Sequence, residues 1–118
     1  MQLFGYGSPD AIEVSNLQMP TSIQIGEELP FSFSLHHQEK QAVKLRLEYA
    51  VDYLKKRGTY NRKVFKITEN TYKAGQTDIQ KKQWFKDFST RKHYPGTHRV
   101  AIIVNGVEKT IGSFELKA

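Results

Sequence analysis

A chain of 118 residues suits one domain, and 14 aromatic residues within a 38% apolar share supply a packed core and argue against disorder. Cysteine is absent, which excludes disulfide frameworks and thiolate metal or redox sites. No apolar run approaches the ~20 residues of a membrane-spanning helix. The missing thiols fit a reducing compartment, so the cytoplasm is the expected location. The net charge of +6 is unevenly spread. Residues 55–99 hold 13 Lys or Arg against Glu69, Asp78 and Asp87, a local +10, and the rest of the chain carries −4. Such a division suits either a polyanion-binding surface or a solvated basic face.

Residues 1–10 have neither the basic start nor the apolar stretch of a secretory signal and read as a linker or the tail of a preceding element. The domain is expected over 11–118. Residues 12–17 fit a short strand. Ile25-Gly26-Glu27 forms a turn, after which Leu29, Phe31, Phe33, Leu35 and His37 alternate with polar residues, the period of a half-buried strand. His37 to Gln41 is a polar loop. The same period returns over 43–54, with Leu45, Leu47, Tyr49, Val51 and Tyr53 on one side. Residues 55–63 read as a charged connection, with Gly58 to turn and Tyr60 to stack. Weaker strands fit 64–68 and 77–85, separated by a turn at Lys73-Ala74-Gly75-Gln76. The turn Tyr94-Pro95-Gly96-Thr97 leads into His98, Val100, Ile102 and Val104, which face inward. Asn105-Gly106 between two alternating runs predicts a type I′ hairpin, and the last strand covers about 107–116. No segment has a sustained helical period. The expected fold class is all-β: an immunoglobulin-like antiparallel β-sandwich of about seven strands.

Catalysis requires a nucleophile with its base, paired carboxylates or a metal set, and none is evident. His36 and His37 are strand neighbours and point to opposite faces, so they cannot share a metal. No cofactor and no metal site are expected. A structural role suits His98 better: it follows Tyr94-Pro95-Gly96-Thr97, where immunoglobulin-like domains place a corner Tyr that hydrogen-bonds back across the turn. Tyr94 is the other candidate for that corner. The basic segments point to phosphate contacts through Lys55, Lys56, Arg57, Arg62, Lys63, Lys81, Lys82, Arg91 and Lys92, with Tyr60 and Trp84 as rings near them. Core packing is the stronger expectation for Trp84.

Residues 47–54 (LEYAVDYL), 63–66 (KVFK) and 90–100 (TRKHYPGTHRV) resemble the C-terminal immunoglobulin-like domain of bacterial HEAT-like-repeat DNA alkylation repair proteins, the AlkC-type alkylpurine DNA glycosylases. The opening Leu3-Phe4-Gly5-Tyr6 is similar to the junction after the helical repeats. This resemblance implies that the catalytic centre lies in the repeats and that the present domain is non-catalytic and grips the duplex. It implies duplex DNA and a helical-repeat glycosylase domain as partners, no membrane, and DNA contacts at Lys63, Lys66, Arg91, Lys92 and Arg99. A protein-docking domain with a solvated basic surface is the rival reading. Convergence of the basic side chains on one surface favours DNA, and scatter over both sheets favours docking.

Overall fold

The computed structural model describes residues 11–85 and 93–117. Eight strands run in chain order: β1 (Glu13–Gln18), β2 (Ser22–Gln24), β3 (Glu28–His37), β4 (Val43–Leu54), β5 (Tyr60–Tyr72), β6 (Gly75–Trp84), β7 (Gly96–Val104) and β8 (Val107–Lys117). They form a three-stranded sheet, β1-β3-β6, and a five-stranded sheet, β2-β8-β7-β4-β5. The domain is all-β, as its alternation demands, and no α-helix occurs among the described residues.

The inward columns are the expected ones. Leu29, Phe31, Phe33, Leu35 and His37 of β3 are at most 3% exposed, and they face Leu45 to Tyr53 of β4 and His98 to Val104 of β7. Phe31 meets Tyr49 edge-on at a centroid spacing of 5.0 Å, and Tyr49 stacks on Phe65 at 5.1 Å. Tyr49 also donates its hydroxyl hydrogen to Gln83 Oε1, a bond between the two sheets. Asn105 and Gly106 both adopt positive φ, and Val104 pairs with Val107, so the two-residue hairpin forms as its sequence predicts.

Two elements differ from expectation. The strand β2 was not foreseen, because three residues are too short to show a period. Ile23 is buried beside Leu116, and β2 pairs with β8 in parallel rather than antiparallel fashion. The strand β5 runs from Tyr60 to Tyr72, far beyond 64–68. It is an edge strand whose side chains mostly face water, so its polar composition conceals its extent. The connection after β4 therefore shrinks to residues 55–59. There the Lys55 amide donates to the Thr59 carbonyl (2.7 Å) and the Gly58 amide to the Lys55 carbonyl (2.9 Å), with Gly58 at φ +84°.

Candidate nucleic-acid interface

The β4–β5 turn projects Lys55, Lys56 and Arg57 into solvent at one end of the sandwich, and the strand beyond it adds Lys63. Together with Tyr53, Thr59, Asn61, His93 and Tyr94 these residues line an open cleft of about 450 Å³. No acid lines it. Among the described residues none of Lys55, Lys56 and Arg57 belongs to a salt bridge, so their charge faces water. The Lys63 ammonium lies 5.6 Å from the Phe65 ring centroid. Arg91 and Lys92 lie outside the described residues, as do residues 1–10, for which a linker or the tail of a preceding element is expected.

Behind the cleft is a packed aromatic cluster. Phe85 is fully buried against Tyr53 (5.7 Å between centroids), His93 (5.3 Å), His98 (5.9 Å) and Phe114 (5.2 Å). His98 is the corner residue. Its Nε2–H donates to the Tyr94 carbonyl at 2.8 Å, and its Nδ1 accepts the Leu54 amide at 3.3 Å. Tyr94 supplies the carbonyl rather than the corner side chain. Gly96 lets the chain turn there: its φ is +136°, and a Cβ would stand 2.4 Å from Leu54 Cδ2. Pro95 precedes it in the same turn.

The other predicted cations go elsewhere. Arg62 and Arg99 flank Asp52 on the outer face of the five-stranded sheet, where the register sets β5, β4 and β7 side by side. Arg62 grips Asp52 with two hydrogen bonds (2.7 and 3.2 Å) and reaches Glu108 at 2.8 Å. Arg99 Nε is 3.3 Å from Asp52 Oδ2, an ion pair by distance, and its guanidinium lies 4.2 Å from the Tyr60 ring centroid. Tyr60, expected to stack in a loop, instead opens β5 and donates its hydroxyl to the Thr97 carbonyl at 2.9 Å. The Arg62 hydrogen bond holds the Asp52 carboxyl below its ordinary pKa, and the positive charges of Arg62 and Arg99 reinforce this. Lys66 is 3.5 Å from Glu69. These three cations are largely neutralised in place.

Lys81 and Lys82 sit on β6, in the other sheet. Register places Lys81 in the inner column opposite Phe31 and Lys82 in the outer column opposite Pro30, so the two diverge. Neither lines the cleft. The basic residues thus converge in part: Lys55, Lys56, Arg57 and Lys63 come together, whereas Arg62, Arg99, Lys66, Lys81 and Lys82 do not. Trp84 corrects a further expectation. It is 54% exposed, and Phe85 occupies the core instead. The roles of His93 as cleft wall and of Asp52 as anchor were not foreseen, since both depend on cross-strand neighbours distant in sequence. No cluster able to hold a metal occurs among the described residues.

A disulfide-free two-sheet sandwich with a corner histidine and a basic cleft at one end defines an immunoglobulin-like domain. Residues 13–118 match the family described as "Uncharacterised protein YhaZ, C-terminal Ig-like domain", and the chain belongs to that family. It is 43% identical to YhaZ of Bacillus subtilis (strain 168), over 98% of this chain and 32% of YhaZ. Among solved structures it is similar to Pseudomonas fluorescens alkylpurine DNA glycosylase AlkC bound to DNA containing an abasic site analog. That similarity has a TM-score of 0.86 and 38% identity over 92% of this chain and 31% of AlkC. A β-glucosidase from Listeria innocua shares the fold alone, with a TM-score of 0.71 at 14% identity over 91% of this chain and 16% of the glucosidase. The chain spans about a third of the length of YhaZ and of AlkC.

Proposed function

We propose that this domain is a non-catalytic accessory module that binds the DNA backbone for a DNA alkylation repair glycosylase. In that reading it acts in the cytoplasm as one part of a longer protein whose helical-repeat domain carries the chemistry. The observation that carries the proposal is the convergence of Lys55, Lys56, Arg57 and Lys63 on one cleft that no acid lines among the described residues. The similarity to a glycosylase captured on DNA supports it.

The mechanism is electrostatic. Flexible ammonium groups and one guanidinium neutralise phosphates and release condensed counterions, which needs no base recognition. The domain then holds the duplex while another part of the protein acts on the base. Four phosphate contacts give a slope near −3.6 for log affinity against log salt, and non-specific affinity of roughly 10⁻⁴–10⁻⁶ M at physiological salt. Fluorescence anisotropy of a labelled duplex, titrated with the domain between low and physiological salt, tests this. A duplex that is not bound even at low salt sinks the proposal.

A further inference from the structure

The two sheets end in four edge strands, β1, β6, β2 and β5, and three of these are poorly suited to pair further. β1 carries a register shift between Ser15 and Gln18, with Asn16 at positive φ. β2 is three residues long, and β5 bulges between Lys66 and Thr68. Bulges and short strands are common protections of a sheet edge. β6 has neither. It matches β3 at ten consecutive positions without a shift, contains no proline, and has no strand on its other side among the described residues. A straight ten-residue edge of this kind presents a row of unpaired backbone amides and carbonyls. Its outer column reads Gln76, Asp78, Gln80, Lys82 and Trp84. Asp78 accepts the Ser34 hydroxyl (2.8 Å) and the Gln76 side-chain amide (3.0 Å), both on Oδ1, which leaves Oδ2 for a cation. Trp84 ends the column and is 54% exposed.

We propose that the β6 edge pairs antiparallel with the β6 edge of a second copy of this chain, about a two-fold axis at Gln80. Such a pair sets outer column beside outer column. About that axis Asp78 stands opposite the partner's Lys82, and Lys82 opposite the partner's Asp78. Opposite charges directly across a strand pair favour it, and like charges oppose it. Trp84 falls opposite the partner's Gln76 and gains cover that its own sheet does not provide. The register is specific. An axis at Lys81 would set the two Lys81 side chains against each other, and an axis at Ile79 would set Asp78 and Lys82 against glutamines. The edge is thus complementary to itself, which is what an isologous contact requires. In the inner column Lys81 stands opposite the partner's Ile79. An inward-pointing charge restrains edge pairing, so the contact is weak and reversible. It uses the straight edge of both copies and closes at two. No residue lining the basic cleft belongs to β6, so this pairing does not depend on the nucleic-acid reading.

The test is sedimentation equilibrium of the 118-residue chain, joined to amide hydrogen exchange at low and high concentration. A monomer–dimer equilibrium is expected below about 1 mM, and alternate β6 amides should exchange more slowly as concentration rises while β5 amides do not. Asp78→Lys and Lys82→Asp should each weaken the dimer about tenfold, because each sets like charges opposite one another twice. An equal mixture of the two variants should recover the wild-type affinity, since every facing pair is then of opposite sign. Lys82→Asp breaks no hydrogen bond to Ser34 or Gln76, so it decides the question alone if Asp78→Lys fails to fold. A chain that stays monomeric up to about 1 mM overturns the proposal. A dimer that withstands both substitutions, or a mixture no tighter than either variant alone, overturns the pairing at Gln80. Slowed β5 amides in place of β6 amides assign the contact to the other edge and overturn it too. A monomeric 118-residue chain whose β6 amides are protected within the longer protein overturns it in favour of a strand from that protein.

Discussion

The His98 imidazole donates to the Tyr94 carbonyl four residues upstream while accepting the Leu54 amide on its other nitrogen. One neutral tautomer meets both demands, and protonation would set an N–H against the Leu54 N–H. Burial lowers the His98 pKa below 6.5, against the opposing effect of the Tyr94 bond. The folded chain therefore binds this proton less readily than the unfolded chain. Stability at this site is full above pH 6.5 and falls as pH drops from there toward the lowered native pKa. Urea denaturation is expected to show loss of stability from pH 7 to pH 5. His98→Phe should flatten that slope and cost about 1–3 kcal/mol at pH 7, since it leaves the buried partners unpaired. A slope unchanged in the variant assigns the pH effect elsewhere.

Asp52 anchors two arginines, Arg62 and Arg99, on the outer face of the five-stranded sheet. Its carboxyl is held below its ordinary pKa of 3.8, so its contribution is present above that value and is lost as pH falls through the lowered one. Asp52→Asn is expected to destabilise the fold by about 1–3 kcal/mol, because Arg62 and Arg99 then face each other with only an amide between them. Arg62→Ala should likewise cost stability, with little change in DNA affinity. A large affinity loss in Arg62→Ala at unchanged stability would show that this arginine reaches DNA.

The turn residues should behave in the opposite way. Lys55, Lys56 and Arg57 are exposed, so replacing all three by Ala should leave the melting temperature nearly unchanged. The salt slope of duplex binding should become shallower by about 2.7, the share of three phosphates. An unchanged slope means that the DNA lies against another surface.

Gly96 is irreplaceable for two separate reasons, its positive φ and the Leu54 methyl group that occupies the space of a Cβ. Gly96→Ala is expected to cost about 2–4 kcal/mol, combining backbone strain with overpacking. Leu54→Ala should return the overpacking part. A double-mutant cycle by urea denaturation measures that coupling, and strict additivity would show that the two residues do not meet in solution.

The long central strands and the hairpin were legible because their residues face two different media and so alternate. Where both faces are wet, as over 60–63 at the start of β5, there is no contrast to read, and that stretch reads as a connection. The Trp84–Phe85 pair was legible in principle. Ile79 has the parity of Phe85, and this assigns Phe85 to the core and Trp84 to the outside. Size alone favoured the opposite choice. The basic cleft was only half legible. Contiguity found Lys55, Lys56 and Arg57, and strand parity separates Lys81 from Lys82. The pairing of Asp52 with Arg62 and with Arg99 is a property of the β5-β4-β7 register, which residues 10 and 47 positions away do not announce.

The short β2 strand also decides how the domain bears mechanical load. Its N-terminal end and the C-terminal end of β8 point in opposite directions along a parallel pair, closed by the Glu115 amide on Thr21 and the Ile25 amide on Lys117. A pull between residues 21 and 117 acts along those strands and loads these bonds together in shear, rather than opening them one after another. Three residues that barely register as a strand thus set the load-bearing geometry of that pair to shear.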